Sequence, residues 1–117
     1  MQLDSWEAVS EYALTLPGSE RGTYYRRPSV QVSANGRPFL NVGREPDSSF
    51  LLSLDLDTKQ MLMETDPETY WETPHYSGWP GVLVRFDSKD PERVADMIAL
   101  AHAQAAAMRR ARPRKPR

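Results

Sequence analysis

The sequence predicts a small α+β domain, in which an antiparallel sheet of about five strands carries the first and last helices on one face of a two-layer sandwich. The chain has 117 residues, which is the size of one domain. Apolar residues recur at helical spacing near both ends of the chain, and short alternating runs lie between them. These runs are joined by short turns, which favours antiparallel hairpins over parallel crossovers.

The first half of the chain predicts one helix and a hairpin. The helix is expected to begin after a cap at Asp4 and to end at Pro17. Polar residues 19–29 are expected to form a loop. A hairpin then occupies residues 30–42 around an Asn-Gly turn signal. Its returning strand contains a proline, which cannot donate within a ladder, so a longer loop over residues 34–38 is favoured.

The second half predicts three more strands and two more helices. The strands are inferred from alternating apolar or aromatic residues, at 50–54, 69–73 and 82–86. Asp57 is expected to cap a short helix that ends by Asp66, because the proline that follows disfavours helical geometry there. The last helix begins at the Asp90-Pro91 pair. The predicted order is therefore α-β-β-β-α-β-β-α.

Charge divides the chain into two parts. The formal net charge is −1, from 15 basic and 16 acidic residues. Six of the basic residues lie within positions 109–117, which leaves residues 1–108 with a formal charge of −7. The sequence therefore predicts a single acidic domain, 1–108, followed by a basic flexible C-terminal tail, 109–117.

Several classes of function lose support from the composition. The chain has no Cys, which excludes disulfides, thiolate zinc sites and cysteine nucleophiles, and its two His are too few for a His-rich metal centre. No nucleophile elbow or glycine-rich phosphate loop is present, so we expect a non-enzymatic protein without cofactor or metal. No apolar run approaches a membrane span, and the acidic N-terminus is unlike a signal peptide, so we expect a cytoplasmic location.

One segment is specific enough to suggest a family. It is Pro74-His75-Tyr76-Ser77-Gly78-Trp79-Pro80. Shorter matching segments are Leu16-Pro17-Gly18, Gly22-Thr23-Tyr24, Pro28-Ser29-Val30, Val82-Leu83-Val84-Arg85 and Asp90-Pro91. Over roughly residues 5–107 the chain resembles the MmcQ/YjbR-like family of small bacterial proteins, although Arg37-Pro38 and Gly81 depart from its pattern. The resemblance implies a frataxin-like (CyaY-like) fold and DNA binding through a double wing of loops.

Basic residues supply the first set of candidate site residues. Arginines in or beside the loops of the first hairpin are Arg26, Arg27, Arg37 and Arg44. Basic residues of the tail are Arg109, Arg110, Arg112, Arg114, Lys115 and Arg117. Cations at loop tips and on an arm can contact DNA phosphates without sequence preference. The leading hypothesis is therefore a DNA-associated binding protein, whereas the ordinary alternative is a solvated surface with a solubilising tail.

Aromatic residues supply the second set, which is Trp71, His75, Tyr76 and Trp79 together with Arg85. Flat rings beside a cation favour a small planar or anionic ligand, or a peptide. The ordinary alternative is that these rings pack at the sheet edge and that His75 bonds to backbone. A weaker alternative is an enzyme in which His75 is the catalytic residue, because its side chain changes charge near neutral pH.

Overall fold

The computed structural model of the protein describes residues 2–110. The tail residues Arg112, Arg114, Lys115 and Arg117 lie outside the described residues. The helices are α1 (Trp6–Leu14), α2 (Leu56–Thr65) and α3 (Pro91–Ala106). The strands are β1 (Ser19–Tyr24), β2 (Arg27–Val32), β3 (Arg37–Val42), β4 (Ser49–Ser53), β5 (Tyr70–Trp71) and β6 (Gly81–Arg85), with a 3-10 turn at Pro74–Tyr76.

The six strands form one antiparallel sheet in the order β1-β2-β3-β4-β6-β5. The α+β class is confirmed, but the expected loop over residues 19–29 was wrong, because it contains β1. This strand lies at the sheet edge and is largely exposed, so it lacks apolar alternation. Its turn to β2 has positive φ at Tyr25 and Arg26, where glycine or asparagine is the usual signal.

All three helices pack on one face of the sheet. Val30, Leu40, Leu52 and Val82 lie opposite one another on four strands and are fully buried. They belong to the same core as Val9 and Ala13 of α1, Leu62 of α2, and Val94, Ile98 and Ala101 of α3. The prediction that the first and last helices share a face is therefore confirmed. Within residues 2–110, the opposite face of the sheet carries no helix.

A bulge resolves the conflict at the β2–β3 hairpin. The connection is residues 33–36, so the longer loop over residues 34–38 was wrong. Pro38 lies in the ladder opposite Gln31, and the register then shifts so that Val30 faces Leu40. The extra residue is Phe39, which is also buried. The bulge lets Phe39 and Leu40, which are adjacent in β3, both reach the core despite the missing proline N–H.

Two helix caps differ from the expected ones by one or two residues. Ser5, not Asp4, caps α1, because its Oγ accepts from the Ala8 backbone N–H at 3.1 Å. Asp55, not Asp57, caps α2, and hydrogen bonds from Thr58 and Gln104 lower the pKa of its carboxyl. The predicted cap at Asp90 is confirmed. In each case the residue immediately before the helix supplies the side-chain acceptor.

The β2–β3 turn holds the C-terminus of α3. Asn35 is buried, and its Nδ2 donates to the carbonyls of Ala105 at 2.7 Å and Met108 at 3.2 Å. Its Oδ1 accepts from the Arg37 backbone N–H at 3.0 Å. Carbonyls at a helix end lack partners within the helix. The Ala105 carbonyl also accepts from the Met108 N–H at 3.1 Å, so Asn35 adds a second donor there and supplies one to Met108 beyond the helix. The Asn-Gly signal thus fixes both a turn and a helix end.

We expect Asn35→Ala to lower the free energy of unfolding by roughly 2 kcal/mol, because the buried amide and its three hydrogen bonds, with Ala105, Met108 and Arg37, are lost. Asn35→Asp is expected to be at least as destabilising, since a carboxylate repels the negative end of the helix. Urea unfolding followed by circular dichroism measures both changes. If the urea midpoint of Asn35→Asp equalled that of the wild type, the hydrogen bonds donated by Asn35 would contribute little to stability.

Candidate functional site

The sheet face without a helix carries a groove of about 940 Å³. Gln31, Asn41 and Leu51 line it from β2, β3 and β4, and their side chains point away from the core. His75, Tyr76 and Trp79 line it from the loop between β5 and β6. Tyr24 and Tyr25 also line it, from the β1–β2 turn. The groove also extends past the end of the sheet to the C-terminal part of α3 and the residues that follow it, where Ala101, Gln104, Ala105 and Met108 line it. It is therefore a strip of sheet with aromatic loops at its sides and the end of α3 beside it.

A buried lysine fixes the loop between β5 and β6. Lys59 of α2 is 2% exposed. Its Nζ donates to the carbonyls of Tyr76 and Trp79, both at 2.8 Å, and lies 2.8 Å from Glu72 Oε1. An ammonium group has three N–H donors, and these three acceptors satisfy them. The backbone that carries the ring side chains is thus anchored on α2.

Sequence reasoning missed Lys59, although one signal pointed to it. Lys59 precedes Leu62 by three positions, which places both residues on the same side of α2. Leu62 is the buried apolar residue of this helix. A lysine on the apolar side of a short helix is rarely buried unless acceptors surround it. Its partners come from a loop that periodicity does not describe, so their positions were not predictable.

The charges that line the groove differ from those of the whole domain. Arg27 and Arg37 lie at its two ends, and Asp55 is the carboxylate among its described lining residues. Asp55 already accepts hydrogen bonds from Thr58 and Gln104. Exposed acidic residues of the helices, on the other side of the sheet, are Glu7, Glu11, Asp57, Glu64, Glu92 and Asp96. These are six of the sixteen acidic residues of the chain, whereas Glu20 of β1 lies beside the groove, where its carboxylate accepts a hydrogen bond from Gln31 Nε2 at 2.6 Å.

The predicted arginines divide between the two ends of the sheet face. Arg26 and Arg27 lie at the β1–β2 turn, and Arg27 Nη2 donates to the Gly43 carbonyl at 2.8 Å, next to Arg44. Arg37 is at the opposite end, because it pairs with the last residue of β2. None of these four arginines forms an ion pair with a carboxylate within residues 2–110.

Two tail arginines join the group at the Arg37 end. Arg37 Nε donates to the Arg109 carbonyl at 2.8 Å, and Arg110 Nη1 donates to the Ala34 carbonyl at 3.3 Å. The first residues after α3 are therefore attached to the β2–β3 turn. The basic segment, which was predicted as a free arm from residue 109, starts at a defined place beside the groove.

The predicted aromatic cluster is divided by the structure. The guanidinium of Arg85 lies over the Trp71 ring at 4.7 Å, and its Nε donates to the Glu68 carbonyl at 2.9 Å. This stacked pair does not line the groove. His75, Tyr76 and Trp79 do line it, and Trp79 is 61% exposed. Three of the five predicted ligand-binding residues are thus brought together.

The His75 side chain has no orienting hydrogen-bond partner among residues 2–110. The imidazole is exposed and meets the Tyr76 ring edge-to-face, with centroids 4.8 Å apart. Within residues 2–110, no carboxylate or carbonyl accepts a hydrogen bond from it. A general base is usually oriented by such a partner.

The described chain brings together no group of three or more metal-ligating side chains. Its helices are also too short or too polar to cross a bilayer, as judged over residues 2–110.

Comparison of the chain with protein-family models, curated proteins and solved structures gives no match. The resemblance to the MmcQ/YjbR-like family therefore stays a prediction.

We expect Lys59→Met to lower the free energy of unfolding by roughly 3 kcal/mol, because two carbonyls lose a charged donor while the aliphatic stem is kept. Lys89→Met is the matched control, since Lys89 is 93% exposed and lies 3.8 Å from a Glu68 carboxylate that is also exposed. This control is expected to change stability by less than about 0.5 kcal/mol. If Lys59→Met and Lys89→Met lowered the free energy of unfolding equally, as measured in urea, Lys59 would not be the anchor of the loop between β5 and β6.

Acidification is expected to weaken the attachment of the loop. The hydrogen bond from Lys59 holds the pKa of Glu72 below its usual value of 4.5. A lowered carboxyl pKa contributes stability that is complete above about pH 4.5 and is lost as the pH falls through the folded-state pKa. Melting temperatures between pH 6 and pH 3 should therefore fall less steeply for Glu72→Gln than for the wild type. If the melting temperatures of the wild type and of Glu72→Gln fell in parallel with pH, the ionisation of Glu72 would not be coupled to folding.

Proposed function

We propose that the protein is a cytoplasmic, non-enzymatic, DNA-associated binding protein. Its arginines contact phosphate along the face of the sheet that carries no helix, which we call the open face. The observation that carries this proposal is the pair of arginines at the two ends of the groove, Arg27 and Arg37, which form no ion pair with a carboxylate within residues 2–110. Six exposed acidic side chains lie on the helices, on the other side of the sheet. Phosphate is attracted to unpaired arginines and repelled by carboxylates.

The geometry at the groove ends supports phosphate contact. Arg27 and Arg37 each use one N–H group to bind a backbone carbonyl. A guanidinium has five N–H donors, so each side chain is oriented while other donors stay available. Arg44 forms no hydrogen bond or ion pair with residues 2–110, although two acidic residues follow it closely. The tail adds cations at the Arg37 end, where Arg110 is attached.

A second candidate is a small planar or anionic ligand, or a peptide, held by His75, Tyr76 and Trp79. The volume of about 940 Å³ favours it, because ligand pockets in proteins are typically 300–1,000 Å³. The exposed position of His75 gives no support to a catalytic role. The two candidates differ in salt dependence, since phosphate contacts release counterions and ring stacking does not.

The salt dependence of duplex DNA binding tests the proposal. Fluorescence anisotropy of a labelled duplex with the full chain should give a slope of log K against log salt near −3.6, if about four phosphates are contacted. Arg27→Gln and Arg37→Gln, whose side chains line the groove, should each make the slope shallower by about 0.9. A full-length variant that combines Arg112→Gln, Arg114→Gln, Lys115→Gln and Arg117→Gln measures how much of this slope the tail contributes.

Lys89→Gln is the charge-matched control, because this lysine is exposed but lies outside the groove. It should leave the slope unchanged. Absence of duplex binding by the full chain at low salt would refute the proposed function. Binding that falls equally for Lys89→Gln would place the contacts somewhere other than the open face.

A further inference from the structure

We infer that the groove binds a single strand of nucleic acid, with unpaired bases stacked on the rings of the β5–β6 loop. This inference rests on the proposed function and narrows it from phosphate contact to a substrate class. Bases within a closed duplex are stacked on their neighbours, so their faces are not available to protein rings. The features that follow all address an exposed base rather than a groove of duplex DNA.

The first feature is an exposed aromatic platform on a fixed backbone. Trp79 is 61% exposed, which is unusual for the largest side chain. Its carbonyl accepts hydrogen bonds from Lys59 Nζ and from the Gly81 N–H, both at 2.8 Å, and its own N–H donates to Tyr76 at 3.0 Å. Its backbone is therefore anchored on both sides while its indole stays open. Such rings stack bases of any sequence.

The second feature is an unsatisfied polar group on the floor of the groove. Asn41 is 7% exposed, and its Oδ1 has no hydrogen-bond partner within residues 2–110. Buried polar atoms of native proteins are nearly always paired. The Asn41 Oδ1 is sealed from solvent, as is the equally unpaired Ser29 Oγ on the facing position of β2, so a base edge reaches the amide through a shift of the Asn41 side chain. Gln31 differs from it, because Gln31 Nε2 already donates to Glu20 at 2.6 Å.

The third feature is the spacing of the cations. Arg27 begins β2, and Arg37 pairs with the last residue of that strand. A separation of five residues along a strand corresponds to about 17 Å. A stacked strand advances about 3.4 Å along its axis for each nucleotide, so this distance corresponds to a segment of roughly five nucleotides with a cation at each end. That length agrees with the site sizes of other single-strand binding grooves, which begin at about four nucleotides.

Stacking and cation contacts accept every base, and the one unpaired amide of the floor acts on a single position. We therefore expect weak sequence preference, with DNA and RNA strands both bound. The groove residues named above include no contact that selects for or against a 2′-hydroxyl.

The test uses the full chain and anisotropy of labelled strands of about 12 nucleotides, namely oligo-dT, oligo-rU and a duplex of equal length. We expect either single strand to bind at least about tenfold more tightly than the duplex. Trp79→Ala should weaken single-strand binding roughly five- to hundredfold and leave duplex binding unchanged. Trp79→Phe, which keeps a stacking ring, should restore most of the affinity.

Leu56→Ala is the matched control, because Leu56 is 50% exposed and lies outside the groove. This variant should change neither the affinity for single strands nor the affinity for the duplex. If duplex and single strands bind equally, and Trp79→Ala affects both alike, the inference is overturned while the proposed function stands. If no nucleic acid binds at low salt, both fail. An abasic strand that binds as well as oligo-dT would also overturn the inference, because it keeps the phosphates without the bases.

Discussion

One buried ammonium group determines where the rings of the site lie. Lys59 ties α2 to the carbonyls of Tyr76 and Trp79 and to the carboxylate of Glu72. The backbone hydrogen bonds of the loop between β5 and β6 are otherwise mostly internal, and Pro80 accepts one from the Leu54 N–H at 3.2 Å. The helix side of the sheet therefore supplies the residue that anchors this loop, and the loop presents its aromatic side chains on the open face.

The sheet separates two surfaces of different character. Its helix side is packed with apolar residues and is covered by acidic helices. Its other side carries a groove with arginines at both ends and rings along one wall. The arginines at the ends of the groove can attract phosphate at short range even though residues 1–108 carry a formal charge of −7. A net charge alone therefore says little about which ligand the groove accepts.

The sequence predicted the elements that have a periodic or a capping signal, and it failed where neither exists. The helix beginning at Asp90 and the antiparallel sheet were confirmed, because proline, turn residues and alternation are local signals. The edge strand at residues 19–24 was missed, because both of its faces are polar. Of the predicted site, His75 and Trp79 share the groove, but Arg85 stacks elsewhere. Contacts such as that of Lys59 join distant segments, and spacing does not report them.

The central claim is that the open face of the sheet, rather than the tail alone, holds nucleic acid. It is tested most directly by titrating the isotopically labelled full chain with oligo-dT and mapping the amide chemical-shift changes. The account predicts that the changes cluster on Gln31, Asn41, Leu51 and residues 75–81, and that α1 and α2 stay unchanged apart from Lys59. Changes confined to residues 109–117, or spread over the acidic helices, would contradict it.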